Sequence, residues 1–167
     1  QAIFSNHHLR VYTNTDLLGV ELAAALKNVI AIAAGICDGL DYGDNAKAAL
    51  ITRGLAEMVR FGTACGAVPD TFFGLAGIGD LVATCGSRHS RNRHVGEQLG
   101  KGISLSQIQQ NMQAIAEGVS TARSIFQISR EQRIEMPIAA QVYYVLFEGR
   151  SPREATEELM QRPLREE

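Results

Sequence analysis

Lys27 stands inside Leu22-Ala23-Ala24-Ala25-Leu26-Lys27-Asn28-Val29-Ile30-Ala31, an apolar stretch of helical composition. An unpaired ammonium is expensive to bury there and its pKa is easily lowered, which describes a group able to give and take a proton. Asp80 closes the run Gly74-Leu75-Ala76-Gly77-Ile78-Gly79-Asp80, and Ser90-Arg91-Asn92-Arg93 follows ten residues later. A capping serine, a planar guanidinium fork and an amide beside the free N–H groups of a helix start suit a phosphate dianion. Lysine acid/base, carboxylate and anion clamp together point to chemistry on a small phosphorylated molecule.

Each piece also has a plainer reading. A lysine in an alanine-rich helix often only snorkels, its stem buried and its head in water. Asn28 points about 100° further round the helix, so it shares a cleft with Lys27 only where both line one. The glycine run has the wrong spacing for a dinucleotide fingerprint, and no strand precedes it; it reads as a tight turn that lets Asp80 cap a short helix from Leu81. Arg88, Arg91, Arg93 and His94 form a basic cluster of the kind that is usually solvated. Glu117, at the start of a helix, complements the helix dipole. His7, His8, His89 and His94 lack partners at metal-ligand spacing, so no metal site is expected.

The elements that must carry these residues are helices. From the N-cap pair Thr15-Asp16, apolar residues at Leu18, Leu22, Leu26, Ile30 and Ala33 mark a long helix buried on most faces and ending near Gly39. Asp44-Asn45 opens a second long helix, nearly antiparallel to the first, whose Gly54 and Gly62 allow close approach until Gly66 and Pro69 stop it. Phe72 to Cys85 is glycine-dense and reads as loops carrying function, Ser90 to about Leu99 as a short polar helix. Further helices are expected from Ser104, over 117–133, over 137–148 and from the Ser151-Pro152 cap. The total is seven or eight, in an all-α domain over 15–167. Residues 1–14 have the β-branched and aromatic content of a strand without a partner, and read as the tail of an upstream domain.

With 167 residues, 46% of them apolar, the chain can bury a core without disulfides or metal. Sixteen basic and eighteen acidic side chains leave a net charge of −2, which gives no case for a nucleic-acid partner or a membrane surface. Cys37, Cys65 and Cys85 are odd in number and widely spaced, as reduced cytoplasmic thiols are. The most apolar run, 22–37, is shorter than the roughly 20 residues of a bilayer span and carries Lys27, so membrane insertion is not expected.

Five segments resemble, in order and in spacing, the C-terminal domain of the bacterial NAD(P)-dependent glycerol-3-phosphate dehydrogenases. They are Gly19-Val20-Glu21-Leu22 with Ala25-Leu26-Lys27-Asn28, the run from Ala49 to Met58, Gly74 to Asp80 with Leu81, Ser90-Arg91-Asn92-Arg93, and Glu135-Met136-Pro137-Ile138. The resemblance implies a helical domain of the 6-phosphogluconate-dehydrogenase C-terminal type, joined to an N-terminal Rossmann domain that holds most of the NAD or NADP. It implies reversible hydride transfer between NAD(P)H and dihydroxyacetone phosphate, giving sn-glycerol 3-phosphate for phospholipid synthesis, in a cytoplasmic homodimer. Lys27 matches the family's proton acceptor and donor, and Asp80, Ser90, Arg91 and Asn92 its substrate contacts. Arg91 also matches a cofactor contact, with Ile115 and Glu117 on the nucleotide side and Asn28 and Thr84 in the same cleft. A lone helical domain is then expected to be inactive. The competing readings are another dehydrogenase of the same fold and a non-catalytic helical module for dimerisation.

Overall fold

The structure, a computed structural model, describes residues 1–112 and 114–163. All regular structure among them is helical: α1 (Leu17–Gly39), α2 (Gly43–Ala64), α3 (Asp80–Gly86), α4 (Arg91–Gly100), α5 (Leu105–Asn111), α6 (Glu117–Glu131), α7 (Pro137–Phe147) and α8 (Pro152–Met160). The count and order match the expectation. Residues 1–14 form turns and irregular chain rather than a strand, because no strand lies among the described residues to pair with them; Asn14 instead donates to the Thr71 hydroxyl.

Helix α1 is the axis of the domain, with α2, α3, α4, α6 and α7 all packed on it. Leu26, Val29, Ile30, Ala31, Ile32 and Ala34 are almost wholly buried, which is why the periodicity of α1 reads as apolar on most faces. At 23 residues α1 is long and apolar enough to cross a bilayer by length and composition, so the expected exclusion on length does not hold. Its N-terminus is tied down by Asp16, whose carboxylate accepts from the N–H of Gly19 (2.9 Å), the N–H of Val68 (2.9 Å) and the Thr71 hydroxyl (2.8 Å). These bonds, the Gly19 amide first, hold the Asp16 carboxyl below its ordinary range.

Two contacts set the direction of α2 against α1. Gly54 lies against Ile30, and Lys47 binds Asp38, so residue numbers fall on one helix as they rise on the other and the pair is antiparallel. The segment expected as loops is mostly helical. A 3-10 turn over Pro69–Phe73 runs into a π turn over Leu75–Gly79 and then into α3. Gly77 makes this possible, since a Cβ there would lie 2.0 Å from the Phe72 carbonyl oxygen; close packing overrides the poor helix propensity of glycine.

Glu57, buried on α2, serves as the cap of α7. Its carboxylate accepts from the N–H groups of Ile138 (2.6 Å) and Ala139 (3.2 Å), behind Pro137 at the first helical position. Burial pushes its pKa up to about 7, against the pull of those two amides and of Arg60 and Arg162. The sequence offers no local signal for this cap, because cap and helix lie about eighty residues apart.

Candidate active site

The middle of α1 gathers the candidate residues. Lys27, its side chain 18% exposed, forms an ion pair with Asp80 at the first position of α3. Asp80 uses its other oxygen to accept from the Thr84 hydroxyl, 3.2 Å away and one turn on. Two expectations change here. The ammonium is not unpaired, and Asp80 does not cap α3, whose start has no side-chain cap. The physical reason is the same for both: a carboxylate within reach of a partly buried ammonium gains more from charge pairing than from one amide bond.

Next to this pair stands the start of α4. Ser90 is its N-cap, Oγ accepting from the Arg93 N–H at 3.2 Å, which leaves the hydroxyl hydrogen able to donate to a ligand. Arg91 is exposed. Asn92 is 8% exposed and works in two directions: its Nδ2 donates to Asn28 Oδ1 (3.0 Å), and its Oδ1 accepts from the Gly118 N–H (2.9 Å). Asn28, next to Lys27 on α1, is thus tied to the start of α4. Asn92 also fastens the N-terminus of α6 to that of α4, and a Cβ on Gly118 would lie 2.7 Å from the Asn28 carbonyl oxygen. Two helix N-termini therefore meet within hydrogen-bond reach of one amide side chain, with their dipoles favouring an anion.

Thr84, Ser87, His89, Ser90, Arg91 and Asn92 line an open cavity of about 360 Å³ between the end of α3 and the start of α4. Ser87 and His89 are additions to the expected set, His89 entering the sequence reading only as a histidine without metal-ligand partners; their nearness to Ser90 is the one signal that points to them. Ile115 and Glu117 flank Ala116 at the entrance to α6, and both are exposed, Ile115 at 80%. Ile115 lines a separate cavity of about 580 Å³ with Val95, Met112 and Arg123, and neither it nor Glu117 lines the cavity at the start of α4.

The basic cluster does not stay together. Arg93 turns away from Arg91 and donates through Nε to Asp38 at 2.6 Å. Lys47 binds the same carboxylate at 2.9 Å. Among the described residues no group of three or more His, Cys, Asp or Glu side chains could hold a metal ion.

A family model described as NAD-dependent glycerol-3-phosphate dehydrogenase C-terminus matches residues 16–157. The chain is 55% identical over its whole length to glycerol-3-phosphate dehydrogenase [NAD(P)+] 1 of Salinibacter ruber and, over 168 aligned residues, 55% identical to the enzyme of Geobacillus thermodenitrificans. It covers 49% of each, and so spans about half the length of the curated relatives it matches. The crystal structure of glycerol-3-phosphate dehydrogenase from Coxiella burnetii superposes with a TM-score of 0.90 at 44% identity, over 95% of this chain and 49% of that one. The yeast enzyme superposes with a TM-score of 0.87 at 25% identity, over 96% and 47%. The chain belongs to the family of the C-terminal domains of NAD-dependent glycerol-3-phosphate dehydrogenases.

Proposed function

We propose that this chain is the substrate domain of an NAD(P)-linked oxidoreductase that interconverts dihydroxyacetone phosphate and sn-glycerol 3-phosphate. The observation that carries the reading is the Lys27–Asp80 pair set beside the anion-suited start of α4. The nicotinamide cofactor, when bound, supplies the hydride. As the C2 carbonyl is reduced, negative charge builds on its oxygen, and Lys27 both stabilises that charge and delivers the proton. In the reverse direction Lys27 accepts the proton of the C2 hydroxyl. Asp80 holds the ammonium in place, and Thr84 holds Asp80. Ser90, Arg91 and Asn92 grip the phosphate, which does not react, so their binding energy serves to align the carbonyl.

Arg91, Ile115 and Glu117 are exposed at the rim of the cluster and offer a cation, an apolar surface and a carboxylate. That set suits the phosphate, ring and ribose hydroxyls of a nucleotide held mainly by a Rossmann domain, of which residues 1–14 are the tail in this reading. The start of the family match at residue 16 supports a domain beginning near residue 15. The reading extends to a cytoplasmic homodimer supplying phospholipid synthesis, without membrane insertion. The burial of α1 within the helical domain supports the last point.

The test follows loss of NADH or NADPH absorbance with dihydroxyacetone phosphate in a full-length protein carrying this domain, beside its Lys27→Met variant. We expect turnover in the parent and a loss of about 10²–10⁴ in kcat in the variant. A folded parent without phosphate-dependent turnover overturns the substrate assignment. An active variant removes Lys27 from the chemistry.

A further inference from the structure

We propose that Asp38 is a positioning residue for the phosphate clamp, acting through Arg93 at a distance from the substrate. The inference rests on the functional reading above. Asp38 lies eleven residues beyond Lys27 on α1, three turns along nearly the same face. Its carboxylate receives Arg93 Nε at 2.6 Å and Lys47 Nζ at 2.9 Å, which join α1 to α4 and to α2. The three side chains are 22%, 16% and 17% exposed, so solvent screens them less than it does a surface pair. Glu97, one turn further along α4, closes the network on Arg93 at 3.6 Å and on Lys101 at 2.6 Å.

Consecutive helical residues point about 100° apart, so the direction of one side chain fixes those of its neighbours. Asn92 is held by Asn28 and Gly118 on one side, and Arg93 by Asp38 on another. With both anchored, the first turn of α4 cannot rotate about its axis, and Arg91, which is exposed, is aimed at the cavity it lines. Ser90 accepts from the N–H of the same Arg93, so the cap shares the anchor. Without Asp38 this first turn keeps the Asn92 bonds and the backbone seam against α1 but loses its second side-chain anchor, and Arg93 is left partly buried with only the longer contact to Glu97.

The experiment uses a full-length protein carrying this domain, with dihydroxyacetone phosphate and unphosphorylated dihydroxyacetone as substrates. Asp38→Asn is expected to raise KM for the phosphorylated substrate by about 10- to 100-fold, with kcat within about twofold of the parent. kcat/KM for dihydroxyacetone stays unchanged, since that molecule has no phosphate to be gripped. In an Arg91→Ala background the effect of Asp38→Asn on KM disappears, because the clamp it aims is gone. Asp38→Glu restores most of the parent KM. If Asp38→Asn does not fold, Arg93→Lys carries the test, since it keeps the charge and loses the Nε contact. Equal losses with both substrates, or an undiminished effect in the Arg91→Ala background, overturn the positioning role and leave the functional reading standing. A parent without phosphate-dependent turnover overturns that reading, and this inference with it.

Discussion

The seam between α1 and α4 sets how far the clamp stands from the lysine, and it tolerates no added carbon. A Cβ on Gly96 would lie 1.9 Å from the Ile32 carbonyl oxygen, and one on Gly35 would lie 1.9 Å from the Arg93 carbonyl oxygen. Ordinary contact begins near 3.4 Å, so Gly96→Ala requires about 1.5 Å of added separation between the two backbones. Neither obstacle is the end of a flexible side chain, so the helices themselves must move. Overpacking of this kind costs about 1–3 kcal/mol. A misplacement near 1 Å between a substrate clamp and a catalytic group costs on the order of 10² in rate. Gly96→Ala is therefore expected to lower the Tm of this domain by several degrees, and to reduce kcat/KM for dihydroxyacetone phosphate by about 10²-fold in a full-length protein. Gly86→Ala is the control: nothing lies within 4 Å of its added Cβ, and both quantities stay near the parent's. Thermal unfolding followed by circular dichroism gives the first quantity, initial rates the second. A Gly96→Ala protein with parental Tm and parental kcat/KM refutes the reasoning that backbone contact at this seam places the site.

Three further outcomes follow from the same geometry. The folded state binds a proton on Glu57 more tightly than the unfolded chain does, so this group's contribution is full below about pH 4.5 and is lost as pH rises through about 7. The Tm of the parent should fall over that range relative to Glu57→Gln, by an amount equivalent to roughly 3 kcal/mol at most; parallel Tm profiles for the two would contradict it. Arg91→Ala is expected to raise KM for dihydroxyacetone phosphate and weaken the nicotinamide cofactor, both read from initial rates with either ligand varied. Burial pushes the Cys85 thiol up to about 12 and the Cys37 thiol up to about 11. Under native conditions at neutral pH, mass spectrometry after treatment with a thiol reagent should find Cys85 and Cys37 unmodified well after denatured protein is fully labelled.

The sequence alone determined the helices and their order. Their signals are local: Asp16, Ser90, Ser104 and Ser151 each cap the helix that follows, and Pro137 and Pro152 each stand at a first helical position. The periodicity of α1 already made it the axis, because burial on most faces leaves few polar positions. Lys27, Asp80 and the Ser90-Arg91-Asn92 run were legible as candidates because their residue types are costly or purposeful where they stand. Which of them meet was not. Lys27 and Asp80 lie 53 residues apart, Asn28 and Asn92 lie 64, and Asn92 and Gly118 lie 26; no local pattern encodes such pairings. The four basic residues near Ser90 look alike in sequence, yet tertiary packing sends Arg93 to Asp38 and leaves Arg91 at the cavity. The helical turns over 69–79 were hidden because glycine disfavours helix by intrinsic propensity, and the approach of Gly77 to the Phe72 carbonyl, which leaves no room for a Cβ, shows only in the folded turn. Propensity, capping and periodicity act within a few residues and so are written along the chain, whereas charge pairing and backbone contact depend on distances that exist only once the helices have packed.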